Sequence, residues 1–272
     1  MRRYLTLAVV LALCSAPLSA ELKITNKMTA RQVAGAAPAN DMMAAMVGPM
    51  IQQMFGGAEG VEMTVTMNED GRMRVDYASS FSGMPAGAAV VTKADGSSVG
   101  FDAKARTWWK MPDPGSNPEA AAMLAQMKPE VTTKRTGEFA TVAGLKAERV
   151  TMVMRMAIPR PPGTENLPPE MLAMIPSEMT VDSEMWLANV HTKYTKAMAK
   201  VLTQGPMAGL GLEKMMGDLT GLNVRNVSRM SMLSGYEIET VALKVVEEDV
   251  PDSVFDVPAG FKEIAMPMPN IR

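Results

Sequence analysis

Cysteine and histidine are almost absent from this chain of 272 residues. Cys14 is the one cysteine, His191 is the one histidine, and Cys14 lies in an N-terminal segment that we expect to be removed. The remaining chain can therefore form no disulfide and no thiolate nucleophile. Zinc sites built from Cys and His side chains are excluded for the same reason. We expect no cofactor and no metal centre, apart from one copper alternative given below.

Sequence motifs of common enzymes are also scarce. The chain has no H-E-x-x-H, P-loop or G-x-G-x-x-G pattern, and its one G-x-S-x-G match is Gly96–Gly100. That match follows Asp95 in a predicted hairpin turn, whereas a hydrolase serine needs a strand-to-helix elbow above a parallel sheet. His191 stands just before a predicted helix, where a capping or solvent-facing role is favoured over a general base. We therefore predict a protein that is not an enzyme.

Long hydrophobic runs are missing, except at the N-terminus. Arg2 and Arg3 precede an apolar run over Leu5–Ala16, which is too short to span a bilayer. This pattern predicts a signal peptide over residues 1–20, cleaved before Glu21, and hence a periplasmic protein. No other stretch reaches ~18 apolar residues, so we expect no transmembrane segment. The formal net charge of −2 argues against nucleic acid as a partner.

Aromatic side chains make up only 5% of the chain, and methionine, with 29 residues, replaces them as the large apolar side chain. The clearest pattern runs over Val150–Ile158, where Met152, Met154 and Met156 alternate with Thr151, Val153 and Arg155. Such alternation is typical of a strand with one apolar face. Methionine is flexible and polarizable, so a surface built from it adapts to partners of different shape.

Hairpins dominate the predicted secondary structure. The strongest signal is Val61–Met67 and Met73–Tyr77, which alternate on both sides of an Asn68–Gly71 turn. In the last strand, the alternation of apolar and polar residues changes its phase by one residue near Glu239–Thr240. This change predicts a β-bulge there. The other predicted strands are Glu21–Thr29, Ala88–Lys93, Ser98–Asp102, Thr107–Met111, Thr132–Thr141, Lys146–Ile158, Met179–Leu187, Asn223–Leu233 and Tyr236–Glu247.

A few helices interrupt these strands. Met43, Met46 and Met50 follow a cap at Asn40 or Asp41 with helical spacing, and this helix reaches Met54. The segment Pro159–Pro176 holds too many prolines for a strand and is predicted to cross the surface or an opening. The other predicted helices are Asn117–Met127, Thr192–Leu202 and the weaker Leu212–Leu219.

So many predicted antiparallel strands are more than a flat sheet usually holds, and the predicted helices are too few to cover both of its faces. We therefore predict an α+β fold, mainly antiparallel β, with one strongly curved sheet closed by a few helices. A two-sheet sandwich is the alternative. The predicted domain is a single one over residues 21–265, followed by a flexible tail at 266–272.

Several local patterns occur together in this chain. They are the first long strand followed by a helix, Thr136–Phe139 with Val142–Gly144, Met185–Leu187, Gly221–Arg225 and, most specific of all, Val250–Lys262. In these patterns the chain resembles secreted bacterial proteins with a domain similar to LolA, the outer-membrane lipoprotein carrier. The resemblance implies an incomplete antiparallel barrel around an apolar cavity, and in the carriers that cavity takes lipoprotein acyl chains.

These features together favour a non-enzymatic binding or carrier protein for a hydrophobic small molecule, a lipid or a lipoprotein acyl chain, with an envelope protein as a further possible partner. Two alternatives remain open at this level: Met-rich binding of Cu(I), for which thioethers are soft ligands, and a structural envelope protein without a small ligand. The residues predicted to line the cavity are Met43, Met46, Met50, Met63, Val65, Met152, Met154, Met156, Met179 and Met185.

Overall fold

A twelve-stranded sheet organises the part of the chain that the structure describes. The computed structural model describes residues 18–33, 48, 51, 55, 59–81, 83–112, 122, 126–127, 129–159, 177–204, 219–233 and 235–267. The strands are β1 (Leu18–Gln32), β2 (Val61–Met67), β3 (Met73–Tyr77), β4 (Ala88–Thr92), β5 (Ser98–Asp102), β6 (Thr107–Lys110), β7 (Glu130–Val142), β8 (Leu145–Ala157), β9 (Glu178–Ala188), β10 (Leu222–Met230), β11 (Tyr236–Pro251) and β12 (Lys262–Glu263).

The described helices are few. One α-helix, α1, spans Thr192–Gln204, and short 3₁₀ helices cover Ser231–Leu233 and Asp252–Phe255. Gly48 and Ile51 have helical backbone, in agreement with the predicted methionine helix, but Met43, Met46 and Met50 themselves lie outside the described residues.

The strand order in the sheet is β12-β6-β5-β4-β3-β2-β1-β11-β10-β9-β8-β7. Strands β1 to β6 form one antiparallel meander and strands β7 to β11 form a second one. The first and last long strands, β1 and β11, lie side by side and join the two meanders. This open, curled antiparallel sheet confirms the predicted fold class, and the sandwich alternative is wrong.

The pairing of β1 with β11 extends from Leu18 opposite Pro251 to Gln32 opposite Tyr236. Its register shifts between Thr25 and Asn26, so that Leu243 is the extra residue on β11. The predicted bulge near Glu239–Thr240 is therefore wrong in position, because residues there pair regularly. An extra residue on one strand bends it and increases its twist, which places this bend in the middle of the sheet.

Directly opposed residues share a face of a sheet, so the registers define an inner and an outer face. The inner face carries Ile24, Val65 and Met185, and the outer face carries the residues that alternate with them. On the outer face of β3 to β6, Phe255 is 1% exposed in a cluster with Val91 and Phe101. The C-terminal segment thus covers this part of the outer face.

A row of ion pairs crosses the outer face of the second meander. Glu237 on β11 is 2% exposed and accepts hydrogen bonds from Arg31 on β1 and Arg229 on β10. Arg229 also contacts Glu184 on β9 at 3.5 Å, and Glu184 accepts a hydrogen bond of 2.6 Å from Arg149 on β8. Since each arginine bridges two strands, the row stabilises the lateral order of the sheet, including the join between β1 and β11.

Glu237 predicts a pH dependence of stability. Burial raises its pKa, but the hydrogen bonds from Arg31 and Arg229 outweigh burial and hold the pKa below its ordinary value. Because the folded pKa is the lower one, the stabilisation is complete above the ordinary glutamate pKa and is lost as the pH falls through the depressed pKa. We expect Glu237→Gln to lower the free energy of unfolding by about 1–3 kcal/mol near neutral pH.

Urea unfolding from about pH 7 down to about pH 4 measures this effect. The difference in the free energy of unfolding between wild type and variant should become smaller as the pH falls. Glu248→Gln is the matched control. Its half-exposed carboxylate pairs with Lys23 at 3.3 Å, and such a pair contributes at most about 1 kcal/mol. If the difference in the free energy of unfolding between wild type and Glu237→Gln is the same at both ends of the pH range, the stabilising role of the Glu237 carboxylate is contradicted.

Candidate functional site

A cavity of about 630 Å³ lies between the inner face of the sheet and α1. Its volume falls within the range of about 300–1,000 Å³ that is common for small-molecule sites. Both meanders and the helix contribute to its wall. The described lining residues are Ile24, Asn26, Val65, Met67, Met73, Met185, Leu187, Asn189, Thr192, Thr195, Lys196, Met198, Ala199, Leu219, Thr220, Gly221, Leu222 and Asn223.

The strands position the apolar part of the wall through their alternation. Val65 lies opposite Ile24, and Met67 lies opposite Met73, so these four side chains point to one face at the join of β1, β2 and β3. Met185 reaches the same face from β9 in the second meander. The pairing of β1 with β11 brings these two apolar groups to opposite sides of one hollow.

Helix α1 closes the cavity because its apolar side faces the sheet. Tyr194 and Val201, seven residues apart, are 0% and 7% exposed, as expected for one side of a helix. The turn between β2 and β3 packs beneath the helix: a Cβ on Gly71, whose φ is +89°, would lie 2.5 Å from Val201 Cγ2. Only glycine fits this contact and this backbone conformation without strain.

The cavity is polar at its rim and apolar in its interior. Met67, Met185 and Leu187 are only 4 to 6% exposed. Most of the polar lining side chains are exposed instead: Asn189, Lys196, Thr220 and Asn223. A cavity with this distribution suits a molecule that has an apolar body and a polar end.

Most of the described charged side chains around this rim form ion pairs. Lys193 Nζ lies 2.7 Å from Glu69 Oε1, and this hydrogen bond raises the pKa of Lys193. His191 Nδ1 lies 3.0 Å from Glu247 Oε1. Arg135 pairs with Glu148 at 2.5 Å and also approaches the carbonyl oxygen of Thr220 at 3.4 Å.

Lys196 differs from these residues. Among the described residues that line the cavity it is the one charged side chain, and no described residue forms an ion pair with it. Its ammonium group is exposed at the rim, on the second turn of α1. The rim therefore carries one positive charge without a protein counter-ion in the described part of the chain.

Val65 and Met185 are the predicted site residues that the structure brings together in the cavity. The registers place five further predicted methionines on the same inner face but outside the described lining. Three of them, Met152, Met154 and Met156, are partly buried on β8, and Met179 lies opposite Met156. The fifth, Met63, is 8% exposed on β2. Residues 160–176, predicted to cross the opening, lie outside the described chain.

Sequence reasoning missed several lining residues that the same pattern could have revealed. Met67 and Met73 continue the alternation of the first hairpin, and Leu187 continues that of Met185. Met198 belongs to a helix that was predicted without a role in the cavity. Lys196 had no signal in the sequence, because its importance depends on the folded arrangement, in which no described residue forms an ion pair with it.

The serine motif has a structural explanation. Ser98 begins β5, and its hydroxyl contacts that of Thr92 on the antiparallel neighbour β4 at 2.9 Å. Asp95 accepts hydrogen bonds from the backbone and hydroxyl of Ser97, which lowers the pKa of Asp95. These contacts are those of a hairpin turn, and a strand-to-helix elbow is not formed here.

In the described part of the chain, no cluster of three or more His, Cys, Asp or Glu side chains has the geometry of a metal site. Nor does any described helix have the length and apolar content needed to cross a bilayer.

Two solved structures are similar to this chain in fold. A LolA superfamily protein from Nitrosomonas europaea shares 9% sequence identity, with 88% of this chain and 91% of that one covered and a TM-score of 0.35. A domain classed with outer membrane lipoprotein-sorting proteins, from Vibrio parahaemolyticus, shares 7% identity, with 87% and 89% covered and a TM-score of 0.35. Neither a protein-family model nor a curated protein matches the chain. Both structural likenesses concern the fold alone.

Truncation of the cavity wall should reduce stability. Leu187 is 5% exposed and lines the cavity, so Leu187→Ala should lower the free energy of unfolding by about 2–5 kcal/mol. Leu243→Ala is the matched control, because Leu243 is 50% exposed at the bulge and should change stability by less than about 0.5 kcal/mol. Urea denaturation measures both variants, and equal effects would contradict the packing described for the wall.

Proposed function

We propose that this protein is a non-enzymatic binding or carrier protein of the bacterial periplasm whose ligand is hydrophobic, such as an acyl chain. The observation that carries the proposal is the cavity between the inner face and α1, with its buried wall of Ile24, Met67, Met185 and Leu187. Transfer of apolar surface from water into such a wall contributes about 25 cal/mol per Å², or about 0.8 kcal/mol per methylene. An acyl chain gains affinity with each methylene that it buries.

The methionines outside the described lining extend this apolar surface. Met152, Met154 and Met156 lie on the same inner face as Met185, and Met179 lies opposite Met156. Because methionine side chains change shape easily, such a surface accepts chains of different length and branching. We therefore propose that Met63, Val65, Met152, Met154, Met156, Met179 and Met185 contact the ligand from the sheet, and that Met43, Met46 and Met50 contact it from the helix before β2.

Titration with the neutral fluorescent probe N-phenyl-1-naphthylamine tests the proposal. We expect saturable binding to the purified protein, because the probe is apolar and fits a cavity of this size. Ala199→Phe places a ring in the cavity from α1 and should weaken probe binding about tenfold or more. Ala105→Phe, in the exposed turn between β5 and β6, is the matched control and should bind as wild type does.

Absence of saturable binding would contradict the proposal, as would binding that Ala199→Phe leaves unchanged. If Cu(I) by itself abolishes binding of the probe, the result favours the alternative in which the methionines bind Cu(I), since thioethers are soft ligands. A protein that binds neither probe nor copper would favour a purely structural role in the envelope.

We further infer export with cleavage before Glu21, because Arg2 and Arg3 precede the short apolar run Leu5–Ala16 and the small residue Ala20 precedes the bond. Strand β1 begins at Leu18, and the Tyr194 hydroxyl donates a hydrogen bond of 2.7 Å to the carbonyl oxygen of Ala20. Cleavage at the predicted bond would remove this acceptor, so Tyr194 would depend on another partner in the mature protein.

The mature protein should therefore have the intact mass of residues 21–272. In that form Tyr194→Phe should change the free energy of unfolding by less than about 0.5 kcal/mol, whereas in a chain that keeps Ala20 it should cost about 1 kcal/mol. Mass spectrometry and urea unfolding of protein exported by a bacterial host measure the two quantities. An intact mass that includes Ala20 would contradict the predicted cleavage site.

A further inference from the structure

We propose that the ligand is an anionic amphiphile: its acyl chain lies in the cavity and its negatively charged head binds the ammonium group of Lys196. This inference rests on the proposed function and specifies the chemistry of the ligand. It starts from the position of one unpaired charge, since Lys196 is the one charged side chain among the described lining residues.

The cavity wall assigns a place to each end of such a molecule. The interior side chains Met67, Met185 and Leu187 are at most 6% exposed and offer no hydrogen-bond donor. A charged head inside this part of the cavity would lose its hydration without compensation, which costs several kcal/mol. The head therefore stays at the rim, while the chain occupies the interior.

The rim offers the groups that an anion needs. Lys196 supplies up to three N–H donors and a full positive charge, and the side-chain amides of Asn189 and Asn223 add neutral donors. All three residues are exposed, so an anion can reach them from solvent. Among the described lining residues no carboxylate is present to repel it.

The neighbouring cations cannot replace Lys196. Lys193 pairs with Glu69 at 2.7 Å and lies 3.9 Å from Glu247, and Arg135 pairs with Glu148 at 2.5 Å. A ligand anion would have to compete with these carboxylates for either cation. Lys196 requires no such exchange, since no described residue forms an ion pair with it.

Displacement of N-phenyl-1-naphthylamine by three amphiphiles with the same chain tests this inference. They are dodecanoate and dodecyltrimethylammonium, each kept below its micelle concentration, and dodecanol, kept below its solubility limit. We expect dodecanoate to displace the probe at about one tenth of the concentration that dodecanol requires, because a hydrogen bond to a charged group strengthens binding by about this factor. The cationic amphiphile should be the weakest. Lys196→Gln should abolish the preference, so that this variant requires equal concentrations of dodecanoate and dodecanol to displace the probe.

Lys200→Gln is the matched control: it removes the same charge from the same helix, one turn further on and outside the described lining, and it should keep the preference. Equal displacement by dodecanoate and dodecanol would overturn the anionic head while leaving the proposed function intact. A preference that survives Lys196→Gln would overturn the role of Lys196. Failure of the probe and of all three amphiphiles to bind would overturn the proposed function itself.

Discussion

The pairing of β1 with β11 is the constraint on which the rest of the structure depends. Each of the two meanders is built from neighbours in sequence, and only this pairing joins them into one sheet. The cavity exists because of it, since Val65 belongs to the first meander and Met185 to the second. The bulge at Leu243 and the bond from Arg31 to Glu237 both lie along the same join, so its curvature and its register are specified there.

Much of the fold followed from alternation in the sequence. The hairpin over Val61–Tyr77 and the long strand β8 have clear apolar phases, and the bounds of these strands and of β7 agree with prediction within a few residues. The bulge in β11 was misplaced for a physical reason. Apolar phase reports burial, yet Leu243 is half exposed and Thr240 lies on the inner face, so the phase did not mark the change in pairing.

The site was less predictable than the fold. Alternation could identify Val65 and Met185 as inner-face residues, because that property is local. Which inner-face residues enclose a hollow depends on the position of α1 over the sheet, and this follows from contacts distant in sequence, such as Gly71 against Val201. The importance of Lys196 is even harder to predict from the sequence. It depends on the folded structure, in which Glu69 pairs with Lys193 and Glu148 pairs with Arg135.

The place of β1 in the sheet also determines when the chain can fold. Its two neighbours are β2, which is synthesised soon after it, and β11, which is synthesised only after β2 to β10. Contacts between such distant segments form slowly, because the closure of a long loop has a high entropic cost. The nascent polypeptide thus lacks the pairing that joins its two meanders until β11 has been synthesised, and the first meander must persist without its partner for that time.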